Sequence, residues 1–152
     1  MENKARQHTI ELLAPARDAE VARAAIACGA DAVYMGGPRF GARQAAGNPV
    51  EDIARVVAAA RPFGVRVYVT LNTLVFDDEL AEAERIAREV IDAGVDALIV
   101  QDMAYMEMGL QGVELHASTQ TYNVSPEKVD FLARSGFSRV ILERNLSLAE
   151  IR

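Results

Sequence analysis

Glycine residues followed by short β-branched runs recur along the chain at the spacing of strand–helix units. The segment GADAV at residues 29–33 returns as GVDAL at residues 94–98, and Gly64, Gly112 and Gly136 each precede another apolar run. A glycine directly after a helix is typical of the left-handed residue that ends the helix and turns the chain back to a sheet. The pattern therefore predicts alternating strands and helices in a parallel sheet with right-handed crossovers.

Six strands and six helices follow from this reading. The apolar runs predict strands near residues 10–14, 32–36, 65–71, 97–101, 113–117 and 139–142. Apolar residues at helical spacing predict helices near residues 18–28, 50–60, 80–91, 103–110 and 125–134. Ser147 and Glu150 form a capping-box pattern that begins a sixth helix.

Two architectures can hold such units, a closed barrel or an open doubly wound sheet. No G-x-G-x-x-G follows the first strand, which argues against a dinucleotide-binding sheet. Polar residues recur at alternate positions of the third strand (Arg66, Tyr68, Thr70) and of the fifth (Glu114, His116), as a barrel interior permits. We therefore predict a parallel (β/α) barrel of the TIM type, incomplete, with about six of its eight units.

The extent of the domain follows from the same count. We expect residues 1–152 to form a single domain, the N-terminal part of a barrel from a longer protein, because a complete (β/α)₈ barrel takes about 250 residues. Residues 1–8 are expected to be a flexible segment. The open edges of an incomplete barrel would favour a homo-oligomer.

Composition narrows the class of protein. The chain has a net charge of −6 and a single cysteine, Cys28, so it has no internal disulfide and no basic footprint for nucleic acid. An RNA partner stays open, because another part of a longer protein could carry the positive surface. The polar start has no signal-peptide core and no apolar run reaches membrane-spanning length, so we expect a cytoplasmic protein with no membrane partner.

Candidate functional residues lie where the predicted strands end, since a parallel barrel works at the carboxyl ends of its strands. We predict His116, Asn72 and Asp102 as catalytic residues and no metal site. The predicted substrate-binding residues are Tyr34, Gly36, Gly37, Arg43, Asn48, Ser118, Thr119, Gln120, Asn123, Glu143 and Arg144.

Two segments supply most of these residues. The glycine-rich stretch at residues 36–48 carries Arg39 and Arg43, which could hold a carboxylate or phosphate or could simply be solvated. The stretch HASTQTYN at residues 116–123 is polar directly after a strand, and His116 is either a general base or a buried histidine satisfied by Glu114. The sequence leaves both alternatives open.

Other features have structural interpretations. Glu11 and Glu114 sit among apolar residues, and Arg66 or Tyr68 could pair with such buried carboxylates. Cys28 follows an alanine-rich helix, away from the working end, so we expect no catalytic role for it. The chain has no H-E-x-x-H, C-x-x-C, G-x-S-x-G or P-loop motif, and no complete protease apparatus can be assembled from it.

Several segments together resemble the collagenase-like peptidase family U32. They are ELLAPA (11–16), GADAVYMGG (29–37), FGAR (40–43), VYVTLNTL (67–74), GVDALIVQD (94–102), HASTQ (116–120) and RVILER (139–144). One departure is Arg17, where the family usually has glycine. The family's cysteine-bearing block is absent, so the resemblance implies no cofactor in this segment and an iron–sulfur cluster, where members have one, in the C-terminal part of a longer protein.

The resemblance implies a peptidase acting on collagen-like substrates, which is our leading expectation, with the segment inactive alone. The alternative is hydroxylation of a tRNA or rRNA base by the full-length protein. The substrate partner is accordingly a peptide or an RNA. A third alternative is a non-catalytic scaffold or binding domain, in which His116, Asn72 and Arg43 could be changed without loss.

Overall fold

The computed structural model describes residues 10–43 and 47–152, so the segment 1–8 predicted to be flexible lies outside the described residues. The strands are β1 (Leu13–Pro15), β2 (Ala32–Gly36), β3 (Arg66–Leu71), β4 (Ala97–Val100), β5 (Glu114–Ala117) and β6 (Arg139–Val140). The α-helices are α1 (Ala19–Ala27), α2 (Val50–Ala60), α3 (Leu80–Asp92), α4 (Ala104–Glu107), α5 (Pro126–Arg134) and α6 (Leu148–Ile151). Short 3₁₀ turns lie at Arg61–Phe63, Asp77–Glu79 and Thr119–Thr121.

The six strands form one parallel sheet in the order of the chain, β1-β2-β3-β4-β5-β6. A doubly wound sheet would reverse direction at a switch point and cover both faces with helices. Here the helix residues Ile26, Ile53 and Ile86 pack in one cluster with Val33 and Val69 from the outer face of the sheet. The predicted barrel architecture is confirmed, and the helices form its outer layer.

The sheet is strongly curled. Six flat strands would hold the first and last about 24 Å apart. Yet Arg139 at the start of β6 donates to the carboxylate of Glu11, just before β1, at 2.6 Å. Arg66 forms a second ion pair with Glu11, and the Tyr68 hydroxyl donates to it at 3.0 Å. The expected pairing of Glu11 is confirmed, and it draws the two ends of the sheet together.

The starts of three helices agree with the predicted bounds, and a side-chain cap lies at each. The Asp18 side chain accepts from the Val21 N–H at 2.9 Å, and Ser125 accepts from the Lys128 N–H at 3.3 Å. Ser147 and Glu150 exchange both bonds of a capping box. Each such cap is worth about 1 kcal/mol and sets where a helix begins, so the loop before it has a defined end.

Some predicted element ends are wrong, for local reasons. Strand β1 begins at Leu13 rather than residue 10, because the Leu12 N–H donates to the Asp31 carboxylate at 2.7 Å instead of to a neighbouring strand. Helix α4 is one turn long, and Gly109 follows it with a left-handed φ of 59°. Strand β6 has two residues rather than four. The three 3₁₀ turns were not predicted.

A second, smaller apolar cluster lines the inside of the curl. It contains Ala32, Tyr68, Ala97 and Ile99, with Tyr34 packed against it. These residues alternate along their strands with those that face the helices, so the interior face predicted from the polar alternation is present. No helix within residues 10–43 and 47–152 is long and apolar enough to cross a membrane.

Candidate functional site

Asn72, directly after β3, joins the loops of three strands. Its Oδ1 accepts from the Ala42 N–H in the loop after β2 at 3.0 Å. Its Nδ2 donates to Ser118 Oγ, after β5, at 3.0 Å. The predicted meeting of these side chains at the carboxyl ends of the strands is therefore observed. We refer to this end of the sheet as the loop face.

The loop after β5 is built around Ser118. This side chain is 2% exposed, and its Oγ also accepts from the Gln120 N–H at 3.2 Å, capping the 3₁₀ turn at Thr119–Thr121. Gln120 itself is exposed, and among the described residues its side-chain amide has no hydrogen-bond partner. A side-chain amide offers a paired hydrogen-bond donor and acceptor. Gln120 is thus an exposed amide of this loop with both its donor and its acceptor free among the described residues.

Asn123 fastens the same loop to β6. It is fully buried, and its Nδ2 donates to the carbonyl oxygens of Ser118 and Ile141, both at 2.9 Å. The Glu143 N–H donates to the Asn123 carbonyl at 3.1 Å, which brings Glu143 and the exposed Arg144 to the loop face. The Asn123 amide is hydrogen-bonded to backbone carbonyls. Of these residues, Arg144 is the one with an exposed charged side chain.

The glycine-rich stretch after β2 has a similar anchor. Asn48 is buried, and its Nδ2 donates to the carbonyls of Arg17 at 3.2 Å and Gly36 at 3.1 Å. Gly37 lies so close to β3 that a Cβ atom there would be 2.6 Å from Leu71 Cδ2. The loops after β1 and β2 are therefore held in a fixed relation at the loop face.

Arg39 and Arg43 differ in their surroundings. The Arg39 guanidinium lies 4.8 Å from the centre of the Phe40 ring, pairs with Glu79 at 2.6 Å and also pairs with Glu82. Arg43 is exposed and borders a cavity of about 280 Å³ together with Gly37, Pro38 and Gly47. Arg39 lines the same cavity, so the two arginines differ in that Arg39 is paired with carboxylates and Arg43 has no ion pair among the described residues.

His116 lies inside the curl, two residues before Ser118 on β5. Its side chain is 1% exposed, and Nε2 lies 2.9 Å from Glu114 Oε2. The Tyr68 ring meets it edge-on at 5.0 Å. Because the carboxylate accepts, Nε2 carries the proton and Nδ1 is left as a lone-pair acceptor, which has no partner among the described residues.

Burial lowers the pKa of His116 below its ordinary value, Arg139 and Arg66 lower it further, and Glu114 opposes this shift. The hydrogen bond from His116 in turn lowers the pKa of Glu114. The imidazole is therefore neutral near pH 7. The structure therefore shows His116 as a buried histidine satisfied by Glu114, with its second nitrogen unpartnered among the described residues.

Asp102 occupies a junction between loops. Its Oδ2 accepts from the Val75 N–H and its Oδ1 from the Ala104 N–H, both at 2.9 Å. Tyr34 packs against the interior cluster beside Tyr68.

Sequence reasoning missed Arg139. Its position in register with His116 could have indicated it, since alternate residues of β6 must also face the interior.

The chemistry that this arrangement can support depends on whether a nucleophile is hydrogen-bonded to His116. Among the described residues no hydroxyl or thiol is hydrogen-bonded to His116, and Ser118 Oγ is bonded to Asn72 instead. Cys28 is exposed next to α1, at the opposite end of the sheet. No group of three or more His, Cys, Asp or Glu side chains within residues 10–43 and 47–152 could hold a metal ion. The described residues do not fit an iron–sulfur cluster.

Comparison with known proteins adds the family context. The profile of peptidase family U32 matches residues 17–152. The 23S rRNA 5-hydroxycytidine C2501 synthase of Escherichia coli is 52% identical over 145 residues, which cover 95% of this chain and 22% of that protein. The tRNA hydroxylation protein P1 of Bacillus subtilis is 37% identical over 93% of the chain and 35% of its own length. A collagenase of Porphyromonas gingivalis is 36% identical, with the same two coverages.

Solved structures agree on the fold. The U32 peptidase Mk0906 superposes with a TM-score of 0.73 at 14% identity, over 93% of this chain and 62% of that one. A fructose-1,6-bisphosphate aldolase from Coccidioides immitis gives a TM-score of 0.63 at 15% identity, over 93% and 58%. The chain spans about a fifth to a third of the length of the three curated relatives named above.

Proposed function

We propose, since the chain belongs to peptidase family U32, that the complete protein hydroxylates a base of ribosomal or transfer RNA and that this chain forms one wall of the base pocket. The observation that carries the proposal is the bonding of Ser118 to the Asn72 amide rather than to His116. The loop face thus offers amides, hydroxyls and arginines for recognition. Among the described residues it offers no activated nucleophile for cleavage.

The names of the relatives support the same choice. The rRNA hydroxycytidine synthase is 52% identical over nearly the whole chain, and a tRNA hydroxylation protein is 37% identical. The first name states synthesis of a hydroxycytidine in ribosomal RNA, and the second states hydroxylation of transfer RNA. A base held in a pocket is read through hydrogen bonds to its edges. A cytoplasmic location, where ribosomal and transfer RNA reside, is part of the proposal.

Within this proposal each residue has a role. Gln120 and Thr119 contact the base, and Arg43 with Arg144 contact phosphates, because these side chains are exposed or half-buried at the loop face. His116 Nδ1, which is buried and has no partner among the described residues, is the proton acceptor that the base would have to reach inside the curl. Asn72 and Asp102 hold the loops through their hydrogen bonds, as do Gly36, Gly37, Asn48, Ser118 and Asn123. Any iron–sulfur cluster would require cysteines other than Cys28, and no step here depends on one.

The peptidase expectation stays a second candidate because a relative named as a collagenase is 36% identical over 93% of the chain. It requires a nucleophile or an activated water supplied from other parts of the complete protein. The two candidates differ in substrate, so one strain can test both.

The experiment is a gene deletion with mass spectrometry of the ribosomal and transfer RNA nucleosides, alongside a gelatin-cleavage assay. RNA hydroxylation predicts that one hydroxylated nucleoside disappears and that the complete gene restores it. Gln120→Ala should restore it poorly, whereas Cys28→Ser, at the opposite end of the sheet, should restore it fully. Unchanged RNA with lost gelatin cleavage would favour the peptidase, and full restoration by both variants would contradict the assignment of Gln120.

A further inference from the structure

Tyr122 combines two features that ordinary surface residues do not share. Its side chain is 66% exposed, and its backbone is left-handed, with a φ of 58°. A bulky non-glycine residue at positive φ is strained, and such strain persists where the surrounding structure imposes it. The ring lies on the loop face, four residues after Ser118.

The frame around this ring is rigid. The Tyr122 N–H donates to the Thr119 carbonyl at 2.9 Å and closes the 3₁₀ turn. The Thr121 hydroxyl lies 2.8 Å from the Ser118 carbonyl and 2.6 Å from Asn123 Oδ1 and shares its one proton between these acceptors. The residues on both sides of Tyr122 are thus fixed by hydrogen bonds, and the ring is presented outward from a fixed base.

Two cationic side chains belong to segments that are bonded to the neighbours of Tyr122. The Lys128 ammonium donates to the carbonyl of Thr121, the residue before Tyr122. The exposed Arg144 belongs to the loop that is bonded to Asn123, the residue after Tyr122. An exposed aromatic ring on a surface that also carries cationic side chains is the combination that binds single-stranded nucleic acid, through base stacking and phosphate contacts.

We propose that Tyr122 stacks on an unpaired base of the RNA, next to the base that the pocket receives. This inference rests on the proposed function and specifies how the RNA strand is held. Stacking needs the ring and tolerates loss of the hydroxyl, since every base has a π-face. It is therefore separable from hydrogen-bond recognition by Gln120.

The test uses the complete protein and 23S ribosomal RNA stripped of protein from the deletion strain. Tyr122→Ala should weaken RNA binding about ten-fold or more, by the usual effect of removing one stacking ring. Tyr122→Phe should bind within about two-fold of the wild type, because it keeps the ring. Phe63→Ala is the matched control, since Phe63 is 73% exposed at the opposite end of the sheet, and it should bind normally.

Tyr122→Gly separates binding from folding. Glycine tolerates the positive φ, so this variant should unfold at or above the wild-type temperature and yet bind as poorly as Tyr122→Ala. Normal binding by Tyr122→Gly, or an equal loss in Tyr122→Phe, would overturn the stacking role. A lowered unfolding temperature in Tyr122→Gly would overturn it as well, by showing that the ring packs against the protein itself.

The same strains distinguish this inference from the proposed function. If the deletion leaves every RNA nucleoside unchanged, the proposed function fails and the inference fails with it. The deletion can instead remove a hydroxylated nucleoside, as the proposed function requires. If Tyr122→Ala then restores that nucleoside fully and also binds RNA normally, the inference alone fails.

Discussion

Removal of the Glu11 carboxylate should loosen the curl of the sheet, because this group joins its two ends. Glu11→Ala takes away the acceptor of Arg139 at 2.6 Å, the ion pair with Arg66 and the acceptor of the Tyr68 hydroxyl at 3.0 Å. The Arg66 and Arg139 side chains are 44% and 34% exposed, so both arginines regain water when the carboxylate is lost.

The size of the loss in free energy of unfolding depends on which polar groups remain buried away from water. Breaking a fully buried ion pair costs about 3–5 kcal/mol, and the exposure of the arginines places this case below that range. Tyr68 is 1% exposed, and a buried hydroxyl left without a partner costs about 1–3 kcal/mol. We expect Glu11→Ala to lower the free energy of unfolding by about 2–3 kcal/mol.

Two further tests divide this loss. Tyr68→Phe removes one hydrogen bond while Glu11 keeps both arginines, so it should cost about 1 kcal/mol. Glu11→Gln combined with Arg139→Gln should cost less than the sum of the single substitutions, by about 1 kcal/mol, because the two side chains contact each other.

Urea unfolding with linear extrapolation measures these differences. Asp130→Ala is the control, because Asp130 is an exposed carboxylate of α5 and its loss should change the free energy of unfolding by no more than about 0.5 kcal/mol. If Glu11→Ala costs no more than Asp130→Ala, the ion pairs do not hold the curl and the reasoning is refuted.

Three other perturbations test separate parts of the structure. Gly37→Ala should lower the free energy of unfolding by about 1–3 kcal/mol, because the new Cβ meets Leu71 Cδ2 at 2.6 Å; an unchanged thermal midpoint would contradict this close approach. Tyr105→Phe should be neutral or stabilise by up to about 1 kcal/mol in urea unfolding, because the buried Tyr105 hydroxyl has no partner among the described residues; a clear loss would show that it has one. The pKa of His116 is lowered by burial, so the unfolded chain takes up a proton near pH 6.5 before the folded chain does, and stability should fall as pH drops from about 6.5. His116→Gln should flatten that fall between pH 6.5 and 5, and an unchanged slope would show that His116 does not titrate there.

The sequence predicted the architecture because its signals are local and periodic. The glycines after the helices and the caps at Asp18, Ser125 and Ser147 mark element ends through short-range backbone chemistry, and they agree with the structure. Strand β1 begins later than predicted because the N–H of Leu12, the residue before it, donates to the side chain of Asp31, nineteen residues away. A contact of that kind leaves no periodic trace.

The candidate site was predictable to the level of which loops meet. Parallel strands must place their carboxyl ends together, so Asn72 and Ser118 were expected on one face and lie 3.0 Å apart. The partner of each polar group was not predictable, because it depends on loop geometry. Asn123 was expected to contact substrate, and its amide binds backbone carbonyls. Arg39 was a candidate anion ligand, and it pairs with Glu79 from a 3₁₀ turn that the sequence did not predict.

The three asparagines of the loop face have a consequence for how such a barrel could acquire new targets. Asn48, Asn72 and Asn123 each use a short amide to fix main-chain atoms of a neighbouring loop, so together with Asp102 these few side chains set where the loops begin and end. The tips between these anchors, including Gln120 and Tyr122, contribute little to that scaffolding. Exchange of tip residues could therefore redirect a barrel of this kind from one nucleotide to another while its framework stays intact.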